Sequence, residues 1–173
     1  MLAIINRLFK YRKQSNFLRL YKAYVRPLLE YASAVWSPQV QYLAEDIERV
    51  QKRFCRMVPG LQSLSYQEQL SRLSLLSLKS RRVRAQLIAI FKMFKGTSGL
   101  KFEDFFTIQR FRKTRGHIGR VTTKYAKHNY RLHFFTVYII TLWNQLSQDE
   151  VNSLSVSSFK AKIQAFFTRH GLW

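Results

Sequence analysis

The chain is short of acid. Nine Asp and Glu face 30 Lys and Arg across 173 residues, leaving a formal net charge of +21. The acids include the pairs Glu45-Asp46, Glu103-Asp104 and Asp149-Glu150, scattered and with no Asp-Asp pair in a strand pattern. Polymerases and nucleases that work through two metal ions need clustered carboxylates, so chemistry of that kind is not expected here. Cysteine is almost as scarce. Cys55 stands alone, which excludes an intrachain disulfide and a multi-cysteine zinc site. Between Phe54 and Met57 it reads as a packed core thiol, in a chain suited to the nucleus or cytoplasm. Long apolar runs are missing as well. The run that opens the chain stops at Asn6 and Arg7 with no cleavage site, and Phe134 to Trp143 is about half of what spans a bilayer. Neither a secretory nor a transmembrane segment is expected. There is no Gly-rich phosphate loop, no His-Glu-x-x-His and no Gly-x-Ser-x-Gly. His117, His128, His133 and His170 lack ligand spacing and read as surface or RNA-facing imidazoles. No catalytic residue, metal or cofactor is expected.

What remains is apolar and basic together. With 47% hydrophobic residues, 14 Phe, 9 Tyr and 3 Trp, the chain can bury a core and still carry a large positive field. Such a field favours a polyanion: RNA or DNA first, an anionic membrane second. The charge is uneven. No acid lies between Asp104 and Asp149, where Arg110, Arg112, Lys113, Arg115, Arg120, Lys124, Lys127 and Arg131 all fall.

Apolar spacing near 3.6 residues runs through most of the chain. Leu2, Ile5, Leu8 and Phe9 line a first helix. Ser15 is positioned to cap a second, with Phe17, Leu18, Tyr21, Tyr24, Val25, Leu28 and Leu29 inward and a kink or one-turn break before Pro27. A third is expected over Val40 to Met57, with Leu43, Ile47, Val50, Phe54 and Met57 as its stripe and an acidic start and basic end that suit the helix dipole. Ser65 and Glu68 form a capping box for a short helix. Leu78 to Lys95 is the clearest helix, stopped by Gly96. Its first turns carry Lys79, Arg81, Arg82 and Arg84, each at a cost of about 0.3–1 kcal/mol near a helix N-terminus. That penalty points to a compensating anion or a surface ion-pair network. Periodicity vanishes from Thr107 to about Asn129 and returns for two C-terminal helices around Trp143 and Phe159. The expected fold is mainly α, about six or seven helices with one irregular basic strap and no large sheet. It divides as residues 1–106, a strap at 107–129, and a C-terminal helical pair at 130–173 that packs on the first region.

Phosphates would be gripped by Lys79, Arg81, Arg82 and Arg84 together with Arg110, Arg112, Lys113, Arg115, His117, Arg120, Lys124, Lys127 and Arg131. Gly116 would bring backbone close to a phosphate. Phe111, Tyr125 and Tyr130 lie within the basic strap and are the stacking candidates. Trp36 and Trp143 read as core.

Several blocks carry a resemblance. They are Leu20-Tyr-Lys-Ala-Tyr-Val-Arg-Pro-Leu-Leu-Glu-Tyr-Ala-Ser-Ala-Val-Trp-Ser-Pro38, Ile47-Glu-Arg-Val-Gln-Lys-Arg-Phe54 and Arg56-Met-Val-Pro-Gly60. Tyr66 to Leu70, Ser80 to Ala85, Thr114 to His117, Phe134-Phe135, Leu142 to Leu146 and Val156 to Lys160 follow in order. Together they resemble the region after the polymerase core in reverse transcriptases of LINE-type, non-LTR retrotransposons of the jockey and chicken-repeat-like groups. The resemblance implies a thumb and a downstream nucleic-acid-binding segment of an RNA-directed DNA polymerase. The endonuclease, fingers and palm of such an element would be separate from this chain, a potential partner. Leu76 and Ser147 depart from it, since the family usually has Pro at both places. The expectation is a non-catalytic fragment that binds RNA or template/primer without sequence preference. Two alternatives stay open: a basic helical module on an anionic membrane surface, and a degenerate element copy with no selected function.

Overall fold

The computed structural model describes residues 1–9, 13–38, 40–109, 116–123 and 135–171, with the Phe135 side chain left aside. It is mainly helical, with no strand or sheet among the described residues and somewhat more helices than expected. The chain forms two compact units, Met1–Arg82 and Val83–Trp173.

In the first unit α1 (Leu2–Leu8) precedes α2 (Gln14–Leu20), which runs without interruption into a π-helical turn (Tyr21–Val25) and α3 (Arg26–Glu30). The expected break is thus a widened turn. Pro27 has no N–H and its ring would strike the carbonyl one turn back, so the helix swells just before it, and Arg26 N–H reaches the Tyr21 carbonyl. The extra residue keeps Phe17, Tyr21 and Val25 buried while Tyr24 and Leu28 face outward. A short α4 (Ser33–Trp36) follows, in which Trp36 is half-exposed and its Nε1 donates to the Tyr31 carbonyl. Trp36 is therefore not a core residue.

α5 (Gln41–Met57) and α6 (Tyr66–Arg72) complete the layer. The Ser65–Glu68 capping box is present, with Ser65 N–H donating to Glu68 Oε2 at 2.8 Å. Tyr21 and Phe17 stack on Phe54 of α5, at 4.1 and 5.6 Å between ring centroids. Yet α5 buries its expected stripe only in part: Phe54 is buried and Val50 and Met57 pack half-buried against the core. Leu43 is exposed and Ile47 half-buried, while Glu48 and Gln51 turn inward beside Phe54 and Cys55.

α7 (Leu78–Phe94) crosses from one unit to the other and ends at Gly96, whose φ of +68° lets Thr97 N–H return to the Lys92 carbonyl at 2.9 Å. The second unit adds α8 (Phe102–Phe105), α9 (Phe135–Asn144), α10 (Gln148–Val151) and α11 (Val156–Arg169). Leu87, Ile90 and Phe91 of α7 meet Phe102, Phe106, Trp143, Phe159, Ile163 and Phe166 in one core, where Phe91 stacks on Phe159 at 4.1 Å. The described parts of the strap are irregular, with a turn at 118–119, and are held by an isolated antiparallel bridge, Ile108 to Val121. α9 pins them. Trp143 Nε1 donates to the Gly119 carbonyl at 2.8 Å, and the Asn144 amide bonds both N–H and C=O of Val121.

Candidate nucleic-acid interface

The basic start of α7 is where sequence and structure part. Glu48 reaches across from α5, accepting Leu78 N–H at 3.1 Å and Lys79 N–H at 3.2 Å. Ser77 Oγ takes Ser80 N–H at 3.1 Å, and the Ser77 carbonyl takes Arg81 N–H. Three of the leading N–H groups that have no intrahelical partner are therefore satisfied by side chains, and Arg81 N–H makes the first helical bond. The anion that the cations demanded is internal. A second acid serves Arg81: Glu30 grips its guanidinium through Nε and Nη2, the latter at 2.9 Å, with Arg26 alongside. This bond holds the Arg81 pKa above its ordinary value, whereas burial and the neighbouring Arg81 charge lower that of Arg26.

Of the four cations expected to grip phosphates here, one is presented openly. Arg82 is 2% exposed and its Nη1 has no hydrogen-bond partner; burial lowers its pKa, against the pull of Glu48 and Glu30. Arg84 donates to the Lys160 carbonyl at 2.9 Å and to Gln164 within the second unit. Lys79 alone is exposed.

His117 also turns inward. It is 1% exposed, with Nε2 3.0 Å from the Trp143 carbonyl and its ring edge-on to the indole, so it is not an RNA-facing imidazole. Gly116 lies beside the Arg120 side chain, which is half-buried. Arg110, Arg112, Lys113, Arg115, Lys124, Lys127, Arg131 and the stacking candidates Phe111, Tyr125 and Tyr130 fall outside the described residues.

The outward face of α5 escaped the sequence reading. Arg49, Arg53 and Arg56 are exposed and Lys52 half-buried, opposite the buried Glu48, Gln51, Phe54 and Cys55. Spacings of three, four and seven residues place these four cations on one stripe, which a helix dipole alone had been enough to explain. The same Glu48 carboxylate brings Lys79 beside this helix, while Lys52 sits 5.3 Å over the ring of Tyr66, whose hydroxyl donates to Glu48. The signal was present in Glu48: an acid in line with buried positions 51, 55 and 58 had to meet donors, and the cations at 49, 52, 53 and 56 had to face away.

Compared with family models, curated proteins and solved structures, the chain matches none. No helix among the described residues is long and apolar enough to cross a membrane. No group of three His, Cys, Asp or Glu among them could hold a metal ion.

Proposed function

We propose that the chain is a non-catalytic nucleic-acid-binding module, of the kind found after the polymerase core in the retrotransposon reverse transcriptases that it resembles. One observation carries this reading: seven of the nine acids are engaged within the fold. Glu48 caps α7, Glu68 and Glu150 close capping boxes, and Glu30, Asp46 and Asp149 hold Arg81, Arg49 and Lys162. Glu150 also takes Arg169, and Glu45 accepts from Gln41. The net charge of +21 is the same whichever partners the acids take, but an acid bonded to a helix end or to one cation is no local counter-charge for the remaining Lys and Arg. The surplus of Lys and Arg is left to the surface, and a polyanion is its natural complement.

Binding is phosphate-dominated and indifferent to sequence, since phosphate contacts position a protein without reading bases. If about six phosphates are engaged, affinity for single strands falls with a log–log salt slope of about −4. Fluorescence anisotropy with unstructured RNA and DNA 20-mers across a salt series tests this. Changing Arg53, Arg56 and Lys79 together to Ala flattens the slope by about two. Failure to bind either strand at low salt by a folded protein sinks the proposal.

A further inference from the structure

Tyr42 sits in the first turn of α5, 64% exposed. Its position matters more than its exposure. Arg49, Arg53 and Arg56 follow it by seven, eleven and fourteen residues, spacings that return to one helix face, so the ring heads the same outward stripe as the three guanidinium groups. Asp46 lies between Tyr42 and Arg49 and holds the Arg49 guanidinium at 2.7 Å, both side chains being open to solvent. The remaining neighbourhood in sequence is nearly without charge: from Pro27 to Ala44 the one ionisable acid or base is Glu30, already committed to Arg81.

An exposed ring at the head of a cationic stripe is the arrangement by which single-stranded nucleic acid is held, phosphates on the cations and a base on the ring. We infer that Tyr42 is a stacking platform, and that the α5 face therefore takes single-stranded RNA or DNA with an accessible base in preference to a duplex. Charge selects this occupant. A second copy of the chain would bring a matching set of Arg side chains against these, and a duplex would offer phosphates but no open base for the ring. Asp46 restrains the site, since it occupies Arg49 and repels phosphate. The inference rests on the nucleic-acid reading above but can fail without it.

The test compares the wild-type chain, Tyr42→Ala, Tyr42→Phe and Asp46→Asn on a single-stranded 12-mer, the same 12-mer with abasic central positions, and the duplex. Tyr42→Ala is expected to lose about tenfold in affinity for the intact strand, the effect of one stacked base, with the salt slope unchanged. Tyr42→Phe retains wild-type affinity, and Asp46→Asn gains severalfold. On the abasic strand the wild type falls to the level of Tyr42→Ala, and the two bind equally, which a merely structural effect of the substitution would not produce. Equal binding of intact and abasic strands by the wild type, with the salt slope still near −4, overturns stacking and leaves the nucleic-acid reading in place. Loss of a concentration-dependent dimer in Tyr42→Ala, seen by sedimentation, with strand affinity unchanged, also overturns it and gives the face to a second copy. Absence of binding to every strand removes both proposals.

Discussion

The two units are held together in different ways. In the second, rings dominate: Phe91, Trp143, Phe159, Phe166 and Phe167 are buried together, while the Asn144 side chain bonds the Val121 backbone and the His117 side chain the Trp143 carbonyl, tying the strap to α9. In the first, the aromatic stack of Phe17, Tyr21 and Phe54 adjoins a chain of polar contacts. Tyr21 donates to Gln51, Gln51 to Tyr66 and to the Leu76 carbonyl, and Tyr66 to Glu48, which caps α7. The first unit also leaves much apolar surface outside. Twelve of the sixteen exposed large hydrophobics among the described residues precede Ala44, so burial of area contributes less there and the polar chain correspondingly more.

The sharpest way to break this contrast is Glu48→Ala. It leaves Leu78 N–H, Lys79 N–H and the Tyr66 hydroxyl without their acceptor and takes from the buried Arg82 one of the two acids that favour its charge. A loss of about 3 kcal/mol in the first unit is expected, because an uncompensated buried charge and orphaned donors each carry their full desolvation penalty. Amide exchange checks it, accelerating in α5 and α6 while α9 and α11 keep their protection.

Gly119→Ala is the matching blow to the second unit. A Cβ there would stand 2.8 Å from the Phe94 ring, with Trp143 Nε1 already bonded to the same residue's carbonyl. The strap must lift or the ring must leave its rotamer, at about 2 kcal/mol. Urea unfolding followed by Trp143 fluorescence reads the change.

The smallest effect at neutral pH becomes large in alkali. Burial, with Glu48 nearby, pushes the Cys55 thiol up from 9.0 to about 12, and burial also raises Tyr21 and Tyr66 above the ordinary tyrosine range. These groups are neutral when protonated, so the folded state holds protons that the unfolded chain has released. Stability is complete below about pH 9 and declines as pH rises from there through about 12. All three residues belong to the first unit, so its amides lose protection first. Unchanged exchange in α5 between pH 8 and 11 would contradict that account.

Much of the fold was legible because period, caps and stops are local. The Ser65 capping box, the end of α7 at Gly96 and the limits of α5 follow from side chains within a turn of the backbone that they satisfy. A second capping box was missed. Ser147 gives its N–H to Glu150 and its hydroxyl accepts Glu150 N–H in return.

The site was legible only as a charge surplus. Composition determined that the chain carries +21 and that its helices are amphipathic, since both depend on which residues are present and at what spacing. Which cations reach solvent was decided by tertiary structure alone. Arg82 and His117 are buried, Arg81 is held by an acid fifty-one residues away, and the α5 stripe faces out because Glu48 and Gln51 turn in. A charged side chain's fate depends on the partner that desolvation forces it to find, and that partner is set by packing across the fold rather than by neighbours in sequence.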